Sequence, residues 1–275
     1  MKKKLLARSV VLGLLCASVF GTSAWAETVV LDIDDGTTPL TYTNTAYNIF
    51  DNGTVVKITG TNDKSITFSP SLAGIEGINI GLLGTGGTGI LHMSSGETTI
   101  NGNLYITHYN DPSAHCSIEN QYGTLVFNGN ILANGIVRNL SSATLKANAV
   151  FDIHSGVEND SILSVGLIND GNMIVSGNGK LSVNVYNNAL AGASGPYSNY
   201  SALYAIDNRG DLIADAESII GNIKHNLGAN TKINLERSSR YEGAYGIFCG
   251  NVLDSDANFS LTLNPGKVMG LLHLY

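Results

Sequence analysis

Short runs of alternating apolar and polar residues make up much of this chain. In Thr98 to Ile106 and Leu181 to Val185, β-branched or aliphatic residues often alternate with polar ones, with Asn between the apolar positions. Runs of this length and pattern predict short, half-buried β-strands. Turn signals separate them. The phrases "IFDNGTVVKI" from Ile49, "SIENQYGTLVF" from Ser117, "LINDGNMIV" from Leu167 and "AIDNRGDLI" from Ala205 share one order: an aliphatic residue, Asn or Asp, a glycine, one residue, then Leu, Met or Val. Asn and Asp tolerate left-handed backbone and bond their own main chain, and glycine accepts positive φ, so each phrase reads as a tight turn entering a strand.

A Gly-Asn-aliphatic triplet also recurs, at Gly102-Asn103-Leu104, Gly129-Asn130-Ile131, Gly171-Asn172-Met173, Gly221-Asn222-Ile223 and Gly250-Asn251-Val252. Its intervals of 27, 42, 50 and 29 residues read as one, two, two and one units of a loose repeat. No such unit can bury its apolar side alone. Coiling each unit onto the next buries the inward residues and stacks the asparagines in the turns, which predicts an all-β chain folded as a parallel β-helix, or β-solenoid. An antiparallel β-sandwich is the alternative, because short strands between turn residues would look similar. With about 22 residues per coil, a solenoid would have on the order of eleven coils and a length of roughly 50 Å.

Composition narrows the function classes. Only 13% of residues are charged, 43% are hydrophobic and 32 are glycine, too apolar for disorder and too poor in charge for a conventional helical domain. Lys2, Lys3, Lys4 and Arg8 precede an apolar stretch, Val10 to Phe20, and a small-x-small site at Ala24-Trp25-Ala26. Residues 1–26 thus read as a secretory signal peptide, and 27–275 as a single solenoid domain. Leu15 stands where lipoprotein processing at Cys16 would need a small residue. Without the leader, 11 Lys and Arg face 22 Asp and Glu, which argues against nucleic acid as a partner. The G-x-G-x-x-G at Gly84, Gly86 and Gly89 leads into more glycines and β-branched residues rather than a helix, so it reads as a turn and not a dinucleotide site.

The Lys-led leader and the Gly/Asn/Ser/Thr-rich phrases such as "AIDNRGDLI" and "LVFNGNI" resemble the passenger region of Gram-negative autotransporters and related β-helical surface adhesins. The resemblance covers most of Glu27 to about Leu263 and is one of repeat style. It implies an exported or cell-surface protein, extracellular or periplasmic, that attaches to host surfaces, glycans or neighbouring cells. The C-terminal translocator barrel of that family is missing, so either the barrel is encoded separately or lost, the chain being truncated, or the protein is a soluble exported solenoid. "GKVMGLLHLY" at the end supplies at most one barrel-like strand.

No catalytic, cofactor or metal site is expected. Asp32, Asp34 and Asp35 begin like a calcium loop, but Thr37 and Thr43 stand where glycine and Glu are needed. His108, His115 and Cys116 lack a second ligand cluster, and Gly192 to Pro196 breaks the G-x-S-x-G pattern. A carbohydrate-active β-helix enzyme is the alternative function, with Asp207 and Asp211 as its carboxylates. One adhesion motif is present, Arg209-Gly210-Asp211, although Gly210 already fills a turn position. Cys116 and Cys249, the thiols outside the leader, are 133 residues apart. Stacking would separate them by about six coils, so they are expected to be unpaired.

Overall fold

The computed structural model describes residues 28–36, 38, 41–44, 48–50, 55–61, 63–70, 78–80, 90–106, 116–157, 165–187, 204–236, 246–254, 256–263, 268–269 and 272–274. The leader, the glycines at 84–89, the stretch 107–115 and Gly192 to Pro196 lie outside these. Among the described residues there is no helix, and every strand pairing is parallel. The antiparallel sandwich is therefore not the arrangement formed.

Strands succeed one another in triplets, here called levels. The first is β1 (Thr28–Asp32), β2 (Thr41–Asn44) and β3 (Asn48–Phe50), and the second β4 (Val55–Gly60), β5 (Lys64–Pro70) and β6 (Ile78–Ile80). In the third, β7 (Ile90–Asn101) fills two positions before β8 (Leu104–Ile106); in the fourth, β9 (Cys116–Phe127) does so before β10 (Ile131–Asn134). The fifth is β11 (Ile136–Asn139), β12 (Ala143–Ala147) and β13 (Val150–Val157), and the sixth β14 (Val165–Asn169), β15 (Asn172–Val175) and β16 (Lys180–Asn187). The seventh pairs β17 (Tyr204–Asn208) with β18 (Asp211–Ile220), again filling two positions. β19 (Asn222–His225), β20 (Asn230–Leu235) and the start of β21 (Gly246–Leu253) make the eighth. The end of β21, β22 (Phe259–Leu263) and β23 (Val268–Met269) make the ninth, and β24 (Leu272–Leu274) pairs beyond it. Each strand bonds to its counterparts in the levels before and after, so the pairings form three series.

Inward residues stack on residues of like chemistry. In the first series Val29, Val56, Ile90, Ile118, Val137, Leu167, Ile206, Ile223 and Val252 lie in one register, and all but the partly buried Val29 are closed off from solvent. The second carries Ile66, Ile100, Phe127, Ala147, Val175, Ala214 and Ile233, and the third Ile106, Ala133, Ile153, Val183, Ile219 and Phe248. Two large rings meet in the middle, Phe127 and Phe151 at 5.6 Å. Ala147 stacks on Phe127 and Ala133 precedes Ile153 in register, so small residues sit beside the bulk and the interior fills without strain.

Two residues past the first-series aliphatic, the inward position is Leu31 and Ile58 in the first two levels and turns polar from the third to the eighth. His92, Asn120, Asn139, Asn169, Asn208 and His225 occupy successive levels, all 0% exposed. His92 Nδ1 lies 2.8 Å from Asn120 Oδ1; then Asn120 Nδ2 donates to Asn139 Oδ1 at 3.0 Å, Asn139 Nδ2 to Asn169 Oδ1 at 2.9 Å and Asn169 Nδ2 to Asn208 Oδ1 at 2.8 Å. Asn208 Nδ2 donates to Thr231 Oγ1 at 2.7 Å, Thr231 Oγ1 lies 2.8 Å from His225 Nδ1, and His225 Nε2 lies 2.9 Å from Asp256 Oδ1. The same Nδ2 groups also donate to Thr144, Asn172, Asp211 and Asn230 carbonyls, each in the next level. Those carbonyls open the second-series strands at the corner, where an unpaired acceptor would be costly.

Three readings of the repeat need correction. Partner residues along the first series are 27, 34, 28, 19, 30, 39, 17 and 29 apart, from Val30 to Leu253, not a steady 22, so the described strands give nine levels rather than eleven. The Gly-Asn-aliphatic triplet is a corner signal, not one repeat. Gly102 and Gly129 stack at the corner between second and third series, and Gly221 and Gly250 between third and first, while Gly171 lies between first and second. The 27- and 29-residue intervals are thus single levels, and 42 and 50 compare different corners. Cys116 and Cys249 belong to the first series of the fourth level and the third series of the eighth, so stacking alone separates them by about 19 Å rather than 29 Å. Cys249 is a free thiol, its pKa raised by burial.

Replacing Asn169 by Ala should remove two links of the amide chain and leave the Asp211 carbonyl without its donor. A loss of about 3 kcal/mol is expected in urea unfolding, against well under 1 kcal/mol for Asn148→Ala, an exposed amide that bonds Asn128. His92 supplies a pH test. Burial lowers its pKa, and the Asn120 side chain, with the influence of the Tyr122 backbone, only partly opposes this. The unfolded chain therefore binds more protons between the lowered pKa and about 6.5, so stability is full above about pH 6.5 and falls on acidification. Ile58 and Asn120 stack on the ring, and no ionised group bonds it. Denaturation midpoints from pH 7.5 to 5 should show that slope, reduced in His92→Asn.

Candidate functional site

The densest group of ionisable side chains lies on the outer side of the third series and its corner with the second. Phe151, Ile153, Leu181 and Val183 point inward, so alternation turns Asp152, His154, Lys180, Ser182 and Asn184 outward. Asp152 stands opposite Ser182, and His154 opposite Asn184. In β18 the register slips: Leu181 pairs with Ala216 but Ser182 with Ser218, which leaves Glu217 as the extra residue of a bulge. Bulges re-aim side chains, and this one brings Glu217 Oε1 within 3.4 Å of Ser182 Oγ.

His154 Nε2 lies 3.0 Å from Asp152 Oδ1, and Ser218 Oγ donates to Asn184 Oδ1 at 2.8 Å. At the corner Lys180 Nζ lies 2.6 Å from Glu236 Oε2 and 3.9 Å from Asp215 Oδ2, while Asn234 Nδ2 donates to both carboxylates. Although outward-facing, Asp152 is 7% exposed, Glu217 2% and Asn184 8%. The group thus combines four carboxylates, an ammonium and an imidazole, of which Asp152 and Glu217 are buried while His154, Asp215 and Glu236 reach solvent. Such an array can exchange protons with, or hydrogen-bond, a hydroxyl-rich ligand. Asp152 and Glu217 stand two strand spacings apart, about 9–10 Å.

The residues singled out in the sequence lie elsewhere. Asp207 is on the outer side of the first series, and Arg209, Gly210 and Asp211 form the next corner. Arg209 Nη2 lies 2.6 Å from Asp207 Oδ2 and Nη1 3.6 Å from Asp170 Oδ1, bonds that raise its pKa, chiefly through Asp207. Asn226 Nδ2 donates to Asp207 Oδ1 at 2.6 Å. A Cβ on Gly210 would collide with the Gly171 carbonyl, to which the Asp211 N–H donates at 2.9 Å. The tripeptide is thus a stacked turn, with the guanidinium folded over two carboxylates and Asp211 exposed. In the opening turn, Asp34 accepts the Thr61 N–H and hydroxyl, and Asp35 those of Thr38, so these carboxylates cap backbone. Among the described residues no three His, Cys, Asp or Glu are placed to hold a metal, and no helix is long and apolar enough to cross a membrane.

The chain matches no family model, no curated protein and no solved structure.

Sequence reasoning missed the third-series group because its members are about 30 and 35 residues apart and share no motif. Alternation around Phe151 and Leu181 was the available signal. Lys180→Met should place Glu236 and Asp215 together without their cation, at a cost of about 1–3 kcal/mol in chemical denaturation. Adding Glu236→Gln should recover part of that loss, a coupling that independent sites would not give.

Proposed function

We propose that this chain winds as a three-sided parallel β-helix of the autotransporter-passenger kind and acts, without catalysis, in attachment to host surfaces, glycans or neighbouring cells. The observation that carries this reading is the parallel stacking through nine levels, which leaves three long outer faces of mixed polar and aliphatic side chains. Faces of this kind present repeated hydrogen-bonding groups over an extended area and need no pocket. A Lys-led stretch with a small-x-small site ending at Ala26 supports export to the periplasm, the medium or the cell surface.

The buried carboxylates of Asp152 and Glu217, with the partly exposed His154 and Lys180 beside them, favour a second reading, a carbohydrate-active enzyme, because general acid and base groups on opposite sides of a glycosidic bond need this kind of separation.

One experiment separates the two. Purified full-length protein is applied to a glycan array and to epithelial cells, and the same glycans are assayed for new reducing ends. Binding without turnover supports attachment. Turnover that Glu217→Gln abolishes would establish the enzyme and overturn the first reading. Within the attachment reading, Asp211→Ala tests the Arg209-Gly210-Asp211 corner: cell binding should fall several-fold if that corner is the contact and stay unchanged if an outer face is.

A further inference from the structure

The inward residue that opens each second-series strand varies with the polar residue across the corner. Opposite Asn120, Asn139, Asn169 and Asn208 stand Leu125, Leu145, Met173 and Leu212; opposite His92 and His225 stand Thr98 and Thr231. Histidine comes with threonine, and asparagine with an aliphatic residue or methionine.

The eighth level gives the physical reason. His225 has two ring nitrogens to satisfy, and the Thr231 hydroxyl, 2.8 Å from Nδ1, satisfies one while Asp256 takes the other. In the third level the ring is turned to a different use. His92 Nδ1 meets Asn120 Oδ1, an acceptor, so Nδ1 carries the proton and Nε2 is a bare lone pair. His92 Nε2 and Thr98 Oγ1 are both closed off from solvent, and neither has a hydrogen-bond partner. Both residues are 0% exposed; in register the histidine lies between Ile58 and Asn120, and the threonine between Lys64 and Leu125.

Two unpartnered polar atoms closed off from solvent need a ligand that is small, uncharged, able to donate to nitrogen and able to exchange a hydrogen bond with a hydroxyl. We propose that the third level holds one structural water molecule, which donates to His92 Nε2 and bonds the Thr98 hydroxyl. The His–Thr combination is then the signature of a level whose polar demand exceeds what its own side chains supply: a carboxylate meets it at the eighth level and a water at the third.

The test is NMR on the full chain with 15N-labelled histidine and methyl-labelled threonine. The parent protein should show a long-lived water cross-peak to the Thr98 methyl and a His92 Nε2 shift typical of a hydrogen-bonded acceptor. The double variant His92→Asn with Thr98→Leu, which copies the pairing of the asparagine levels, should lose the water cross-peak and match the parent's unfolding midpoint. Thr98→Leu alone should fall below both. No water cross-peak in the parent, or a Thr98 hydroxyl bonded directly to Nε2, would overturn the proposal, whether or not the variants fold.

Discussion

From the third level to the eighth the strands are tied by one buried line of hydrogen bonds, from His92 through four asparagines and Thr231 to His225 and Asp256. Apolar stacking supplies most of the driving force, since each buried Ile or Leu contributes about 1.5–3 kcal/mol. Yet apolar contacts are tolerant of sliding. An amide is not, because its oxygen must meet the level below and its nitrogen both the amide and the corner carbonyl above. The line therefore sets the register to which the aliphatic stacks conform.

The line has a direction. Every asparagine donates toward the C-terminal side, so the amide dipoles add, and the partly exposed carboxylate of Asp256 lies at the end where the N–H groups point. Asp256 is held below the usual carboxylate range, first by the Asn258 N–H and further by His225, so it stays ionised where the negative charge suits the dipoles. The two histidines end the line in opposite tautomers, His92 protonated on Nδ1 and His225 on Nε2, as their partners dictate.

Much of this was legible in the sequence, and the parts that were not have identifiable causes. The turn phrase of aliphatic, Asn or Asp, glycine marks Asn120, Asn169 and Asn208, because a stacked amide beside a tight turn needs that local chemistry. Asn139 escaped: in "IVRNLSSATL" the turn is made by Leu140, Ser141 and Ser142 with no glycine. His92 and His225 escaped because nothing local distinguishes a ladder histidine from a solvated one. The Gly-Asn triplet misled, since close backbone approach, as of Gly129 to the Gly102 carbonyl, recurs at all three corners and so does not count coils. The Glu217 group depends on a one-residue bulge, which alternation alone does not foretell.

Spacing between levels has a consequence for descent. From third series to first, the inward residues are 4 apart at Ala133 to Val137 and at Ile219 to Ile223, but 14 at Ile153 to Leu167 and 23 at Val183 to Ile206. From the polar line to the second series the step is always 4 to 6. One corner thus keeps time while another absorbs whatever length mutation delivers, and the loop-closure penalty for added residues grows only slowly. A lineage built this way can gain and lose segments at every turn of the chain while its stacks stay in phase, so its members drift out of alignment with one another far sooner than they drift out of shape.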